Sequence, residues 1–438
     1  MVSHMGPQVV HVLGMDDLNR RGLGTIRGAQ ALRFHALLEA SEVVGPWRYR
    51  AAEVLDKARR RLREYPGPVD ALIGDFDFPV STILPILRRE LGHATPSLES
   101  VLRCEDKYWS RLVQSEVIPE HTPRFAVFDP GDERAPLAAG FDYPFWVKPV
   151  KSFSSYLGFA VRSPRELQDA LEKIRRGVGR LRDAFGYVLG HALVPDEVAA
   201  AGGGACIAEE IIDASHQATV EGYVFGGEVV PYAIVDSLRL PGASSFRSYE
   251  YPSQLPERVQ RDMRDVAVRV MRRVGLEGSP FNVEFFWDEA RDRLWVLEIN
   301  PRISRSHAPL FELVRGASHH EVAVDLALGN RPAFPRREGR YRVAGKYFVR
   351  TLDDAVVQSE PRRADFDALI GEVPDARVSL TAHEGDRLSD LLDQDSYSYV
   401  LAVVYLGADS HDELRARYRR VDELLPFELA APPSGASA

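Results

Sequence analysis

The sequence predicts an α/β protein in several domains, with a parallel α/β layer first and α+β subdomains after it. Three observations lead there. Strands and helices alternate over the first 95 residues, two apolar strands carrying carboxylates form a hairpin at residues 281–302, and the chain of 438 residues is about three times the usual domain length. A composition of 45% hydrophobic and 27% charged residues excludes a mostly disordered chain. No apolar run approaches the ~20 residues that a membrane span needs. A net charge of −9, from 55 basic and 64 acidic residues, argues against nucleic-acid binding, which draws its affinity from a basic excess. Cys104 and Cys206 have no metal-ligand spacing, and no apolar signal segment is evident, so a reducing cytoplasm is the expected location. Met1–Pro7 reads as a start site or a cloning remnant and is set aside.

Val9–Leu13 is a short apolar run ending at Gly14 and reads as the first strand. Apolar spacing predicts a helix over Gly28–Ala40 and a basic amphipathic helix over Ala52–Glu64. Val69–Gly74 reads as a buried strand, followed by a turn at Asp75-Phe76-Asp77-Phe78-Pro79 and a helix over Val80–Leu91. Gly14 opens no G-x-G-x-x-G pattern, so nothing here points to a dinucleotide. A helix starts at Pro96–Glu99 and continues through Val101–Ser115. Phe141–Val147 is a strand that delivers Lys148 to a serine-rich loop, Ser152–Ser155. Gly158–Val161 is another strand, and Pro164–Arg176 a helix with Ser163 as its N-cap and Glu166 three residues on.

Residues 195–205 are rich in Ala and Gly and predict a mobile surface loop. The strands Ile207–Ile212, Ala218–Phe225, Glu228–Val235, Asn282–Trp287 and Leu294–Ile299 follow, with a helix over Pro256–Val274 and a tight hairpin at Gly226-Gly227. Beyond Gly329–Pro332 the pattern changes to short strands, Arg342–Val349 and Tyr397–Tyr405, and a closing helix over Ser410–Leu424.

The hairpin carries the chemistry. Side chains at i and i+2 of a strand share a face, so Glu298 and Asn300 point the same way, and the polar turn Asp288–Arg293 brings Glu284 alongside. Two carboxylates and an amide oxygen are hard donors suited to Mg²⁺. Acids inside otherwise apolar strands need partners. Arg302, at the end of the second strand, is placed to hold a phosphate or a developing oxyanion. Lys148 followed by small residues is a usual way to hold nucleotide phosphates, with loop N–H groups as further donors, and Lys107 lies early in a helix upstream. Ala208–Ile212 is a strand segment able to present backbone groups to an adenine edge, with His216 and Glu221 following within reach of a ribose.

The order Lys107, Lys148, Glu209-Glu210-x-Ile212, Glu284, Glu298-x-Asn300-Pro301-Arg302 resembles the ATP-grasp superfamily, and more closely its carboxylate–amine ligases, including L-amino-acid (dipeptide) ligases. The match covers about Ser97 to Pro332. It implies an ATP-grasp core of two α+β subdomains at 96–332, an N-terminal parallel α/β domain at 1–95 and a small C-terminal α+β domain at 333–438. By the same resemblance, Lys107, Lys148, Ser154 and Ser155 contact the phosphates of ATP, while Glu209, Glu210 and Ile212 frame adenine. His216 stands about where the family often has a ribose-binding Glu. Glu284, Glu298 and Asn300 would hold Mg²⁺, two ions in the family's usual pattern and with Mn²⁺ as an alternative, and Arg302 would steady an acylphosphate or tetrahedral intermediate.

Two departures stand out: the phosphate loop is serine-rich rather than glycine-rich, and Ile303-Ser304-Arg305-Ser306-His307 replaces the Gly-Gly that follows the motif in many amino-acid ligases. Arg247, Arg305 and His307 are the expected substrate contacts. The implied activity is an ATP-dependent ligation of a small-molecule carboxylate and an amine, releasing ADP and phosphate. The alternatives are a carboxylase or phosphotransferase on the same fold, or a non-catalytic ATP-binding regulatory module. Neither nucleic acid nor a membrane is an expected partner, and a homodimer is compatible with the sequence.

Overall fold

The structure, a computed structural model, describes residues 6–44, 49–152, 157–240, 245–391, 394 and 398–432. It divides into two compact units. The first comprises residues 1–234, 255–305 and 319–334; the second comprises 235–254, 306–318 and 335–438.

The first unit opens with a parallel sheet of β1 (Gln8–Met15), β2 (Leu32–Glu39) and β3 (Ala71–Ile73), in the order β2-β1-β3. The run Val9 to Leu13 is buried on both faces, as parallel strands covered by helices are. The helix expected over Gly28–Ala40 is absent. A short 3₁₀ turn, Ala29–Ala31, leads into β2, which pairs with β1 in the register His11↔His35. Gly28 at φ +74° breaks a helix there, and the ladder with β1 decides the conformation of an apolar run that fits either period.

A second sheet, antiparallel, holds β4 (Phe125–Phe128), β5 (Phe145–Pro149), β6 (Phe159–Val161) and β7 (Cys206–Glu210) in the order β4-β7-β5-β6. The helix Pro164–Gly177 covers it with Leu167, Ala170, Leu171 and Ile174, and its Ser163 cap accepts from Glu166 N at 3.2 Å. Residues 195–205, expected as a loop, contain a helix at Asp196–Ala201 that ends at Gly202, φ +68°.

The third layer of this unit contains β8 (His216–Phe225) and the start of β9 (Glu228–Arg239). After β10 (Phe246–Tyr251), which lies in the second unit, come β11 (Ser279–Asp288) and β12 (Arg293–Asn300), giving the order β12-β11-β8-β9. The helix Glu257–Val274 buries Val259, Met263, Val266, Val270 and Val274, spaced at three and four residues, into a core shared with Val220, Val283 and Phe285. The helix expected over Val101–Ser115 is two, Leu98–Glu105 and Lys107–Val117. Asp106 separates them because its carboxylate accepts from Tyr108 N at 2.9 Å and Trp109 N at 3.0 Å, capping the second helix.

In the second unit β9 from Val235, β10, β13 (Val343–Thr351), β15 (Arg377–Leu380) and β16 (Tyr399–Ala408) run in the order β9-β10-β13-β16-β15, β14 (Val356–Ser359) pairs with β17 (Glu428–Ala430), and the helix His411–Glu423 adds Leu414 and Val421 to the core. Among the described residues, no helix is long and apolar enough to cross a membrane.

The parallel layer contains one titratable group with a stability consequence. His11 is buried, with its ring stacked 5.5 Å from His35 and edge-on 4.5 Å from Tyr65, and neither of its nitrogens has a hydrogen-bond partner among the described residues. Burial, with the neighbouring His35, lowers its pKa to about 4. An unfolded histidine titrates near ~6.5, so between these values the unfolded chain binds the extra proton, and stability falls as pH drops. The expected outcome is a difference in melting midpoint between wild type and His11→Leu that is constant above pH 6.5 and shifts against the wild type as pH falls toward 4. An identical pH profile for the variant would overturn the assignment.

Candidate active site

The site lies within the first unit, on the face of β11 and β12 that meets the Lys107 helix, the end of β5 and the segment after β3. Glu284 and Glu298 are direct partners across β11 and β12, and Asn282 pairs with Asn300 one step along the same face. A bulge at Leu297 separates Glu298 from the regular ladder below it. Arg111 uses that irregularity: its Nη1 donates to Val296 O at 3.0 Å and its Nη2 to Leu297 O at 2.9 Å. Asn300 Nδ2 donates to Asn282 Oδ1 at 2.9 Å, and Asn282 Nδ2 to Arg302 O at 3.0 Å, so the amides are fixed in orientation.

The cations here have named counter-charges. Lys107 Nζ donates to Glu298 Oε1 at 2.6 Å and to Ser152 O at 2.7 Å. Lys148 Nζ lies 2.7 Å from Glu209 Oε2, and Arg111 Nε donates to the other oxygen of Glu209 at 2.7 Å. Arg302 Nη2 donates to Asp77 Oδ2 at 2.7 Å, while Lys151 sits between Asp77 Oδ1, at 3.2 Å, and Glu105. The pKa shifts follow. Burial, and then the Glu298 charge, push Glu284 up to about 7. Burial works the same way on Glu298, but Lys107 and Lys148 outweigh it and hold that carboxyl below its ordinary value. Arg111 and Lys148 likewise overcome burial at Glu209 and hold it at about 2. Burial lowers Lys148 against the pull of Glu209.

Glu284 and Glu298 thus form a carboxylate pair in which one member resists ionisation beside the other. A divalent cation between them would relieve that repulsion, and with Asn300 Oδ1 the donor set is all oxygen, the chemistry Mg²⁺ prefers. Among the described residues, no group of three His, Cys, Asp or Glu side chains is placed to hold a metal, so the amide of Asn300 is needed to complete the set.

The other expected residues divide. Glu209 lies on β7, but its side chain is buried against Lys148 and Arg111, so it serves as an internal counter-ion instead of facing an adenine. Glu210 N donates to Arg124 O at 3.0 Å, leaving the segment past the strand end, Ile211 and Ile212, to offer backbone groups. His216 and Glu221 do not converge. Five residues apart on β8, they face opposite sides: Glu221 is buried on the Glu284 side, 3.9 Å from His319, and His216 stacks on Trp287 and meets Glu289 at 3.2 Å. Arg305 is held in the first unit by Asp16, Asn19 and the Phe76 ring. Arg247 and His307 belong to the second unit, where His307 lies edge-on to Tyr249. Ser154 and Ser155 lie outside the described residues.

Sequence reasoning missed Arg111, Lys151, Asp77, Glu105, Gln217 and Asn282. Arg111 had a signal, since it stands four residues after Lys107 on one helix face. Asn282 and Glu284 share a strand face, which pairs them with Asn300 and Glu298 in turn. Gln217, whose Nε2 reaches Glu284 Oε2 at 3.2 Å, shows only once β8 is known to pair with β11.

A family model described as the ATP-binding domain of the carbamoyl-phosphate synthase L chain matches residues 249–332. The carbamoyl phosphate synthase large chain of Clavibacter michiganensis subsp. michiganensis is 40% identical over 77 residues, 18% of this chain; the match spans only 7% of that curated relative. The crystal structure of an L-amino acid ligase from Bacillus licheniformis superposes with a TM-score of 0.75 at 17% identity, covering 97% of this chain and 99% of that one. An N5-carboxyaminoimidazole synthase from Aspergillus clavatus, in complex with ADP and 5-aminoimidazole ribonucleotide, superposes with a TM-score of 0.64 at 14% identity, covering 95% and 98%. The chain has the ATP-grasp fold.

Removing Arg111 leaves Glu209 with Lys148 alone, at part of the about 3–5 kcal/mol that a fully broken buried ion pair costs. Arg111, with 3% of its side chain exposed, also satisfies two strand carbonyls. Arg111→Met is expected to lower the thermal midpoint by several degrees, and Arg111→Lys by less. A midpoint unchanged in Arg111→Met would show that Lys148 alone suffices for Glu209.

Proposed function

We propose that the chain is an ATP-dependent carboxylate–amine ligase that forms an amide or peptide bond through an acylphosphate, releasing ADP and phosphate. The observation that carries this reading is the register pairing of Glu284 with Glu298 on a half-buried face beside Asn300, with Lys107, Lys148 and Arg302 around it. The higher TM-score of the L-amino acid ligase favours amino-acid-like substrates over the carboxylation chemistry named for the second structure.

A carboxylate is a poor acyl donor because its oxide is a poor leaving group. Moving the γ-phosphoryl group of ATP onto it gives an acylphosphate, and an amine then displaces phosphate. The first step needs positive charge over the phosphates, and the second needs a site from which water is excluded. Mg²⁺, held by Glu284, Glu298 and Asn300, would neutralise phosphate charge. The chain's own cations do the rest. Lys148 can turn toward a phosphate without stranding Glu209, because Arg111 keeps the other oxygen of that carboxylate. Lys107 holds Glu298 ionised and therefore able to act as a ligand. Arg302, whose guanidinium stays charged because Asp77 outweighs burial, is placed to steady the intermediate. Small-molecule carboxylate and amine partners, and two ions with Mn²⁺ as a substitute, belong to the same reading.

The test is ADP release with Mg-ATP against amino acids singly and in pairs, with mass spectrometry of the products and a bicarbonate arm. ADP formed only with particular pairs, and a product mass equal to their sum less water, is the expected outcome. Bicarbonate dependence would replace the ligase reading with carboxylation. Glu298→Gln should reduce turnover by at least about 10²-fold in a chain that still folds, with a lowered melting midpoint because Lys107 loses its counter-charge. Near-normal turnover in a folded variant would sink the metal assignment.

A further inference from the structure

The run Asp75-Phe76-Asp77 follows β3 at the carboxyl edge of the parallel layer, and each of its three side chains engages one of the two arginines that follow β12. Asp77 Oδ2 accepts from Arg302 Nη2 at 2.7 Å. Asp75 Oδ2 lies 3.5 Å from Arg305 Nε, and the Arg305 guanidinium carbon stands 3.7 Å from the centre of the Phe76 ring. The acids are themselves held. Asp77 Oδ1 meets Lys151 at 3.2 Å, while Asp75 accepts from Asn19 Nδ2 at 2.9 Å and pairs with His320 Nε2 at 2.9 Å. Asp16, the N-cap of the helix Asp17–Gly24, also pairs with Arg305, at Nη2. Gly14 ends the apolar run of β1 at φ +88°, and a Cβ there would come within 2.9 Å of the Phe76 ring, so glycine lets the run pack this closely.

The contacts leave part of Arg302 uncommitted. Its Nη2 is used by Asp77 and, at 3.3 Å, by Asn300 Oδ1, and its Nη1 by Ile303 O at 3.2 Å; its Nε is buried with no partner among the described residues. Asn300 ties the guanidinium to the face that carries Glu284 and Glu298. A long cationic side chain fixed by an acid on one edge loses little further freedom when an anion meets its remaining donors.

We propose that Asp77 and Asp75 are positioning residues that aim Arg302 and Arg305 as a two-arginine subsite for the phosphoryl group in transit; this rests on the ligase reading above. The parallel layer then has a part in the reaction: it supplies the acids that orient cations delivered by β12. Phe76 separates the two acids, one for each arginine, and its ring centre lies 3.7 Å from the Arg305 guanidinium carbon. The opposite role for Asp77, as a carboxylate that competes with the anion for Arg302, predicts an effect of opposite sign.

The experiment uses the full chain and two probes, Mg-ADP and then inorganic phosphate added to the Mg-ADP complex, with both affinities measured by calorimetry. Asp77→Asn should bind Mg-ADP within about two-fold of wild type and phosphate at least about ten-fold more weakly, a 1.4 kcal/mol change. Asp75→Asn should weaken phosphate by a smaller factor, because it acts through Arg305. A general loss of structure would weaken both probes together, so the split between them is the readout. Unchanged or tighter phosphate binding in a folded Asp77→Asn overturns the proposal, the tighter case showing competition. If Asp77→Asn melts early, Asp77→Glu keeps the charge but shifts the carboxylate. A phosphate affinity at least three-fold weaker with Mg-ADP unaffected is then expected, and no change overturns the proposal. A wild-type chain that binds no Mg-ADP would overturn the nucleotide reading, and the subsite with it.

Discussion

Charge burial governs the first unit. Lys107, Arg111, Lys148, Lys151, Glu105 and Glu209 are all buried, and a buried ionisable group without a partner is costly. Each is answered within hydrogen-bond distance by a group from a different stretch of chain: Lys107 by Glu298, 191 residues on, and Arg111 by Glu209, 98 residues on. The ion pairs therefore demand that the helix, the β5 strand, β7 and the β11–β12 hairpin take one arrangement. Hydrophobic packing of Val283, Phe285 and Val296 beneath them would tolerate several.

In the proposed reading, the same constraint prepares the site for an anionic ligand. Its cations are held by acids that keep a second partner, as Glu209 keeps Arg111 and Asp77 keeps Lys151. A cation can then turn to a phosphate without leaving its former partner stranded. The one imbalance is between Glu284 and Glu298, two acids in register, of which Glu284 is pushed up to about 7 by burial and by its neighbour. That is where a divalent cation fits the protein's own charge pattern.

Much of this was legible beforehand, for a definite reason. The pairing of Glu284 with Glu298 follows from strand alternation and a short polar turn, both local properties. The carriers of Lys148 and Arg302 were equally readable, because apolar runs end where charged residues begin. The reading failed where two local signals were equal or where a partner was remote. Leu32–Glu39 fits a helix or a strand, and the ladder with β1 chose the strand. Asp106 split a helix that apolar spacing alone would have continued, because its carboxylate could reach two N–H groups. Glu209 was expected to frame adenine, and Arg111 and Lys148 meet its side chain instead.

By itself the sequence determined which residues are chemically able to hold a nucleotide, a hard cation and an oxyanion, and which of them share a strand face, since period and turn are written in a few adjacent residues. Tertiary structure decided which charge answers which. Asp77 meets Arg302 across 225 residues, and His320 meets Asp75 across 245. Such pairings depend on the packing of separate layers, and a buried ion pair is selected by three-dimensional proximity in a low-dielectric interior, a quantity that no local pattern encodes.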